Sequence, residues 1–205
     1  TCESVSFGEE GSQVAIKDSV SLNPRSKFNP EGGITYIDFE VKPESEDKDC
    51  LFQIESCYGY ETYADPDICV DADIYNLKTD KVCQVKDVMK LKKQAGPVIV
   101  DSIEESILVL DESLKVRFKI FVKNVGSGEV VKLSEFNKIC GESDFEPDIL
   151  NKIGISAKLS NQDISCSPEW LTLSENDKAN YFICTANEVE KPIDAYTAPL
   201  SITLN

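Results

Sequence analysis

The sequence predicts an all-β protein made of two antiparallel β-sandwich domains in tandem, stapled by disulfides. Three observations predict it. Apolar residues alternate with polar ones at a period of two far more often than at 3.6, the mark of strands with one buried face. The 205 residues exceed one ordinary sandwich and suit two of about 100 residues each. Eight cysteines form an even set without a CxxC pair, which favours disulfides over a zinc ribbon or a thioredoxin-type redox motif.

The elements follow in order. Residues 1–32 are polar apart from a first strand over Val14–Leu22. In Gly33–Lys42 the residues Ile37, Phe39 and Val41 alternate with Asp38, Glu40 and Lys42, so one face is core and the other is wet. After the charged turn 43–49, Cys50–Ser56 repeats the alternation with Phe52 and Ile54 inward, and the two strands read as a hairpin. Lys90–Pro97 ends in Gly96-Pro97, which breaks regular structure before the β-rich Val98–Val100. The domain boundary is therefore placed there, giving domains 1–95 and 96–205. In Lys115–Lys123 the inward set is Val116, Phe118, Ile120 and Val122. The turn Asn124–Gly128, with Gly126-Ser127-Gly128 as its centre, leads into Glu129–Leu133 and makes a second hairpin. A strand, polar turn and strand in each half is the pattern of an immunoglobulin-like sandwich. Ile153–Leu159, Tyr181–Thr185 and Pro199–Leu204 supply further strands. Ser134–Cys140 and Ser174–Ala179 each begin with Ser followed by acids, which favours a short helical turn.

The formal net charge of −16 is shared by both halves, and a surface of that sign repels phosphate backbones and anionic headgroups. Nucleic acid is not an expected partner. No histidine occurs, which removes His-based acid–base chemistry, Ser–His and Cys–His nucleophiles and the common His-containing metal sites. Arg25 and Arg117 are the only arginines among 21 basic residues, so no guanidinium cluster can form. No apolar run reaches membrane-spanning length. Disulfides imply an oxidising compartment, so the expected location is extracellular or on the cell surface, with Thr1 following a removed leader or anchor.

All eight cysteines, Cys2, Cys50, Cys57, Cys69, Cys83, Cys140, Cys166 and Cys184, are expected in disulfides. Cys166 and Cys184 flank Trp170 in two predicted strands and form one candidate pair, and Cys69 with Cys83 forms another. With five cysteines before the boundary and three after it, full pairing requires a bond across the domains or between subunits. Asp65, Asp67, Asp71 and Asp73, with Asp80 beyond, gather hard oxygen ligands of the kind calcium takes. Tyr75 and Leu77 occupy ligand positions of an EF-hand, so that pattern fails and the competing reading is a solvated acidic loop. Glu142, Asp144, Glu146 and Asp148 form a weaker acidic group. Tyr58, Tyr60 and Tyr63 read either as a ligand platform or as a packed strand edge. No catalytic residue is assigned, and calcium is the single cofactor the acidic loop suggests.

The segments Cys57–Thr62, Ala95–Val100, Lys123–Val130 and Ala195–Leu204 together resemble exported cell-surface proteins of archaea with immunoglobulin-like sandwich domains. The resemblance implies an extracellular setting and a filament or surface layer, with copies of the chain itself or other surface proteins as partners. The expected function is a non-enzymatic structural subunit joined by β-strand exchange, for which Val14–Leu22 is the candidate donated strand. The alternative is a monomeric adhesion or recognition module that binds calcium or glycan through residues 58–80. An enzyme using Asp65 and Asp67 as paired carboxylates stands third.

Overall fold

A computed structural model describes residues 21–23, 28–36, 57–91, 94, 96–135, 149–174 and 179–205. The chain divides into two compact units, one of residues 1–58 with 134–145 and the other of residues 59–133 with 146–205. In the first, Gly33 N–H donates to the Asn23 carbonyl at 2.7 Å.

The second unit is all-β. Its strands among the described residues are β1 (Thr62–Ala64), β2 (Asp67–Val70), β3 (Val88–Lys90), β4 (Val98–Val109), β5 (Ser113–Asn124), β6 (Lys152–Leu159), β7 (Gln162–Ser167), β8 (Trp170–Thr172), β9 (Tyr181–Glu190) and β10 (Tyr196–Leu204). Every ladder is antiparallel, and the sheet runs β1-β10-β6-β7-β9-β5-β4-β3, with β2 also on β10 and β8 also on β6. Two strands change partners along their length. In β7, Gln162–Ile164 pairs with β6, while Ser165–Ser167 pairs with β9. In β10, Tyr196–Pro199 pairs with β2, and Leu200–Leu204 pairs with β6. These switches curl the sheet, and the Thr62 hydroxyl of β1 donates to the Val98 carbonyl of β4 at 2.6 Å, joining strands from opposite ends of the strand order.

Inside the curl lies one core. Val116, Phe118, Ile120 and Val122 from β5, Phe182 and Cys184 from β9, Ile153, Ala157 and Leu159 from β6, and Leu200, Ile202 and Leu204 from β10 are all buried in it. The period-two pattern thus places the right side chains inward on β5, β6 and β10. Between β6 and β7 the register Leu159↔Gln162 leaves only Ser160 and Asn161, with φ of 49° and 68°. Positive φ at both central residues is what a tight hairpin turn twisted with its strands demands, and Asn tolerates it well.

The expectation of a second hairpin from Lys115–Lys123 into Glu129–Leu133 is corrected. The hairpin partner of β5 is β4, in register from Val98↔Asn124 to Val109↔Leu114. Of residues 129–133, Val131 makes only an isolated bridge to Leu150 among the described residues. A bulge hid β4: Asp101 is an extra residue between Val100 and Ser102, so the inward set moves from even to odd numbers and the alternation breaks.

Of Lys90–Pro97, expected as an interdomain linker, Lys90 closes β3, and the strands on either side of the span, β3 and β4, pair in one sheet. The Gln94 amide stands in for a strand residue, with its Nε2 donating to the Val100 carbonyl at 2.7 Å and its Oε1 accepting from Val100 N–H at 3.0 Å. Residues on both sides of the expected 95/96 boundary therefore share this sheet. Ser134–Cys140, expected as a helical turn, contributes a short 3-10 turn over Leu133–Glu135. Its remainder, most of Ser174–Ala179, Ile37–Ser56 of the first expected hairpin, Val14–Val20 and Glu142–Asp148 lie outside the described residues.

Both candidate disulfides of the second unit are present, Cys69–Cys83 and Cys166–Cys184. They use every cysteine that this unit contains. The five-to-three split depended on dividing the chain at 95/96, and it does not apply to the units that form. Cys57 is also disulfide-bonded. Cys2, Cys50 and Cys140 lie outside the described residues.

Candidate functional site

Beyond the bulge at Asp101, the inward side of β4 carries Ile103, which is buried, then Ile107 and Val109, which pack against the core. Glu105 falls between them in the same alternation and turns its carboxyl toward the core side. There it lines a cavity of 260 Å³ whose other walls are Asp67, Ile68 and Cys69 of β2, Cys83, Gln84 and Lys86 of the following loop, Met89 of β3 and Thr197 of β10. The Cys69–Cys83 disulfide fixes that loop against β2.

Glu105 Oε1 is shielded from solvent and has no hydrogen-bond partner among the described residues. Burial pushes the Glu105 carboxyl up to about 7 from an ordinary 4.5, because desolvation disfavours the charged form. The site therefore presents a carboxyl near half-ionisation at neutral pH, in a cavity that also has an apolar wall of Ile68 and Met89.

The rim of this cavity is the outer side of β4, where the loop that leads into β3 runs beside Glu105. β3 pairs only with Ser102–Glu104 of β4, and among the described residues no strand pairs with the outer side of Glu105–Val109. Leu110 N–H donates to the Ser113 carbonyl at 2.9 Å and closes the β4–β5 hairpin. Antiparallel pairs alternate between bonding inward and outward, so counting back from Leu110 turns the N–H and C=O of Glu105, Ile107 and Val109 away from β5. Leu91 N–H, donating to the Asp101 carbonyl at 3.1 Å, lies along the same outer side.

The aspartates expected to share a cation take separate places. Asp65 and Asp67 are exposed, Asp65 between β1 and β2 and Asp67 at the start of β2. Asp71 and Asp73 converge instead on a lysine. Lys81 Nζ lies 2.6 Å from Asp71 Oδ2 and 3.0 Å from Asp73 Oδ2, and it donates to the Asp73 carbonyl at 2.9 Å and to Asn76 Oδ1 at 3.0 Å. Asp71 Oδ1 accepts from Asp73 N–H at 2.9 Å, and the Asp73 carboxylate accepts from Leu77 and Lys78 N–H at 3.0 and 2.8 Å. The backbone N–H groups of Lys78 and Leu77, with Lys81, hold the Asp73 carboxyl down at about 2. Burial pulls the Lys81 ammonium downward, but the hydrogen bonds and charges of Asp71 and Asp73 outweigh it and leave it above its ordinary value. Among the described residues, no three His, Cys, Asp or Glu side chains form a group that could hold a metal ion.

Tyr63 points outward from β1 between buried Thr62 and Ala64, and its hydroxyl is hydrogen-bonded to Glu61. Tyr58 is likewise exposed, and Tyr60 is half-buried. Sequence reasoning missed two residues that matter here. Glu105 was legible as an acid in the inward register between Ile103 and Ile107, once the bulge is known. Lys81 was legible as a cation at the end of a run of aspartates. No family model matches the chain, and the comparisons with curated proteins and with solved structures found no match.

Proposed function

We propose that this chain is a non-enzymatic structural subunit of an extracellular surface assembly, joined to its neighbours by β-strand addition. The observation that carries the reading is the outer edge of β4 at Ser106–Val109, with which no strand pairs among the described residues, beyond the short strand β3. Such an edge is a ready template for another strand. Leu108 and Leu110, 57% and 43% exposed, flank it with apolar surface. The disulfides suit an oxidising setting, and the absence of histidine favours assembly over catalysis. The Val14–Leu22 segment, with its apolar alternation, is the strand best suited to be lent. In this reading the chain keeps the immunoglobulin-like two-sandwich plan expected from its sequence, with the curled sheet as one of the two.

The test is the variant Ile107→Pro. Proline removes an N–H that faces away from β5, so the hairpin bonds survive, and proline is tolerated on an edge in that position. Negative-stain microscopy and sedimentation of the wild-type chain are expected to show oligomers that grow with concentration, while the proline variant, which melts at a lower temperature for the loss of Ile107 packing but is shown by its melt to be folded, stays monomeric. Dispersed wild-type monomers across a wide concentration range would sink the reading.

A further inference from the structure

We infer that the Cys69–Cys83 disulfide is a thiol–disulfide exchange site: a small thiol attacks the Cys83 sulfur, the Cys69 sulfur leaves, and the Glu105 carboxyl supplies the proton that Cys69 takes. The inference does not depend on the strand-addition reading. Both cysteines and Glu105 line the same cavity of 260 Å³, and the two sulfurs belong to unequally placed residues. Cys69 of β2 is only 6% exposed, whereas Cys83 is half-buried in the loop that leads into β3. Exchange needs access to one sulfur and a way for the other to leave. This pair divides the two requirements.

The leaving side decides how readily such a bond opens. A thiolate shed into a buried place is poorly solvated, which raises its pKa and makes it a slow leaving group. A proton delivered as the S–S bond breaks removes that cost. Glu105 is the acid placed to deliver it, since its Oε1 is shielded from solvent and has no hydrogen-bond partner among the described residues. The charged groups around it are Asp67 of β2, Lys86 of the loop, and Asp87, which lies one step beyond the pair Val88↔Glu104 and so beside Glu105. β3 and β10 contribute the uncharged Met89 and Thr197, and β5 places Phe118 opposite. Two acids against one base do not draw the proton off, and burial keeps the carboxyl protonated up to about 7.

In the step itself, the electron pair of the incoming thiolate forms a bond to the Cys83 sulfur. The S–S bond breaks, its pair stays on the Cys69 sulfur, and that sulfur takes the Glu105 proton. Water then reprotonates the Glu105 carboxylate. A second small thiol attacks the mixed disulfide and frees Cys83, so two small thiols are oxidised to their disulfide while the Cys69–Cys83 pair gains two electrons and two protons. Opening this bond releases the loop from β2 at Cys83 and leaves Lys81, paired with Asp71 and Asp73, to hold it. The second disulfide of the unit is built for permanence, with Cys184 inside the core and Cys166 packed against it. It serves as the control within the same molecule.

The folded full chain is treated with dithiothreitol, alkylated at intervals and mapped by peptide mass spectrometry. Cys69–Cys83 should open about a hundredfold faster than Cys166–Cys184, the low end of what a positioned acid contributes. Attack uses the thiolate and release uses the protonated carboxyl. The rate should therefore climb about tenfold per pH unit to about pH 7 and level off from there toward about 8.5, where an ordinary thiol titrates. Glu105→Gln, first shown by its melt to be folded, should be about a hundredfold slower at pH 6 and should climb without a break. Glutathione, a monothiol, should leave its mixed disulfide on Cys83. Equal rates for the two bonds, a mixed disulfide on Cys69, or a wild-type rate that climbs past pH 7 without a break each overturn the exchange site. An unchanged rate in Glu105→Gln does so too, and the wild-type readouts decide the matter even where that variant fails to fold.

Discussion

The Lys81 ammonium sits 2.6 Å from the Asp71 carboxylate, and the two side chains are only 5% and 6% exposed. Asp73 approaches the same ammonium at 3.0 Å, so the acidic loop carries its own cation. Lys81→Met leaves two neighbouring carboxylates facing each other without a counter-charge, which is strongly unfavourable when one of them is buried. The melting temperature of this variant should fall by several degrees in calorimetry. Millimolar calcium should recover part of the loss, because it can take the place the ammonium vacates, and should leave the wild type unmoved. An equal calcium response in both proteins would show that Lys81 does not occupy the cation position.

Asp73 gives a second, separable handle. Its carboxyl is held at about 2 by the Lys78 and Leu77 N–H groups together with Lys81, below the value of about 3.9 it has in an unfolded chain. A depressed folded-state pKa contributes stability that is present above the unfolded value and lost as pH falls through the folded one. Asp73→Asn should therefore lower the melting temperature by a constant amount above pH 5, and the gap to the wild type should close between pH 4 and pH 2. A gap that persists at pH 2 would show that the carboxylate's charge is not what the loop uses.

Strands whose alternation is unbroken were legible in the sequence. β5, β6 and the second half of β10 bury the residues that period two selects, and both local disulfides of the second unit follow from cysteines near one another in the chain. β4 was not legible beyond Val100, for a physical reason. The bulge at Asp101 shifts the inward positions by one, and Glu104-Glu105 puts two acids in the middle of a twelve-residue strand, so no unbroken alternation marks it. With β4 hidden, β5 lacked its true partner and was matched to 129–133 instead. The place of β1, β2 and β3 was hidden too, because short strands carry little periodicity and their pairing with β10 and β4 spans long stretches of chain. The cavity at Glu105 depends on these long-range pairings, so no local pattern announces it.

The Cys166–Cys184 bond links paired positions of β7 and β9, and Cys184 is fully buried among core side chains. It closes a separation of 18 residues, for which the loop-entropy account gives about 3 kcal/mol. Replacing both cysteines by alanine should cost about 2–4 kcal/mol in guanidinium unfolding. Reductant should move the wild type further than it moves the variant, which still carries the Cys69–Cys83 bond and the bond of Cys57. A wild-type midpoint equal to the variant's under oxidising conditions would show that the bond adds nothing to stability.

Glu105 makes the isolated chain sensitive to pH in the opposite sense to Asp73. Burial raises its carboxyl to about 7, against an ordinary 4.5. A raised folded-state pKa gives a contribution that is whole below the unfolded value and is lost as pH climbs through the folded one. The full shift corresponds to about 3 kcal/mol, which solvent screening of this half-buried group reduces to about 1–2 kcal/mol. Glu105→Leu places an apolar side chain between Ile103 and Ile107 and removes the titration. Measured at concentrations low enough to hold the chain monomeric, it should gain about 1–2 kcal/mol over the wild type on going from pH 4 to pH 8. An offset independent of pH would mean that the gain comes from apolar packing alone and that water reaches the carboxyl freely.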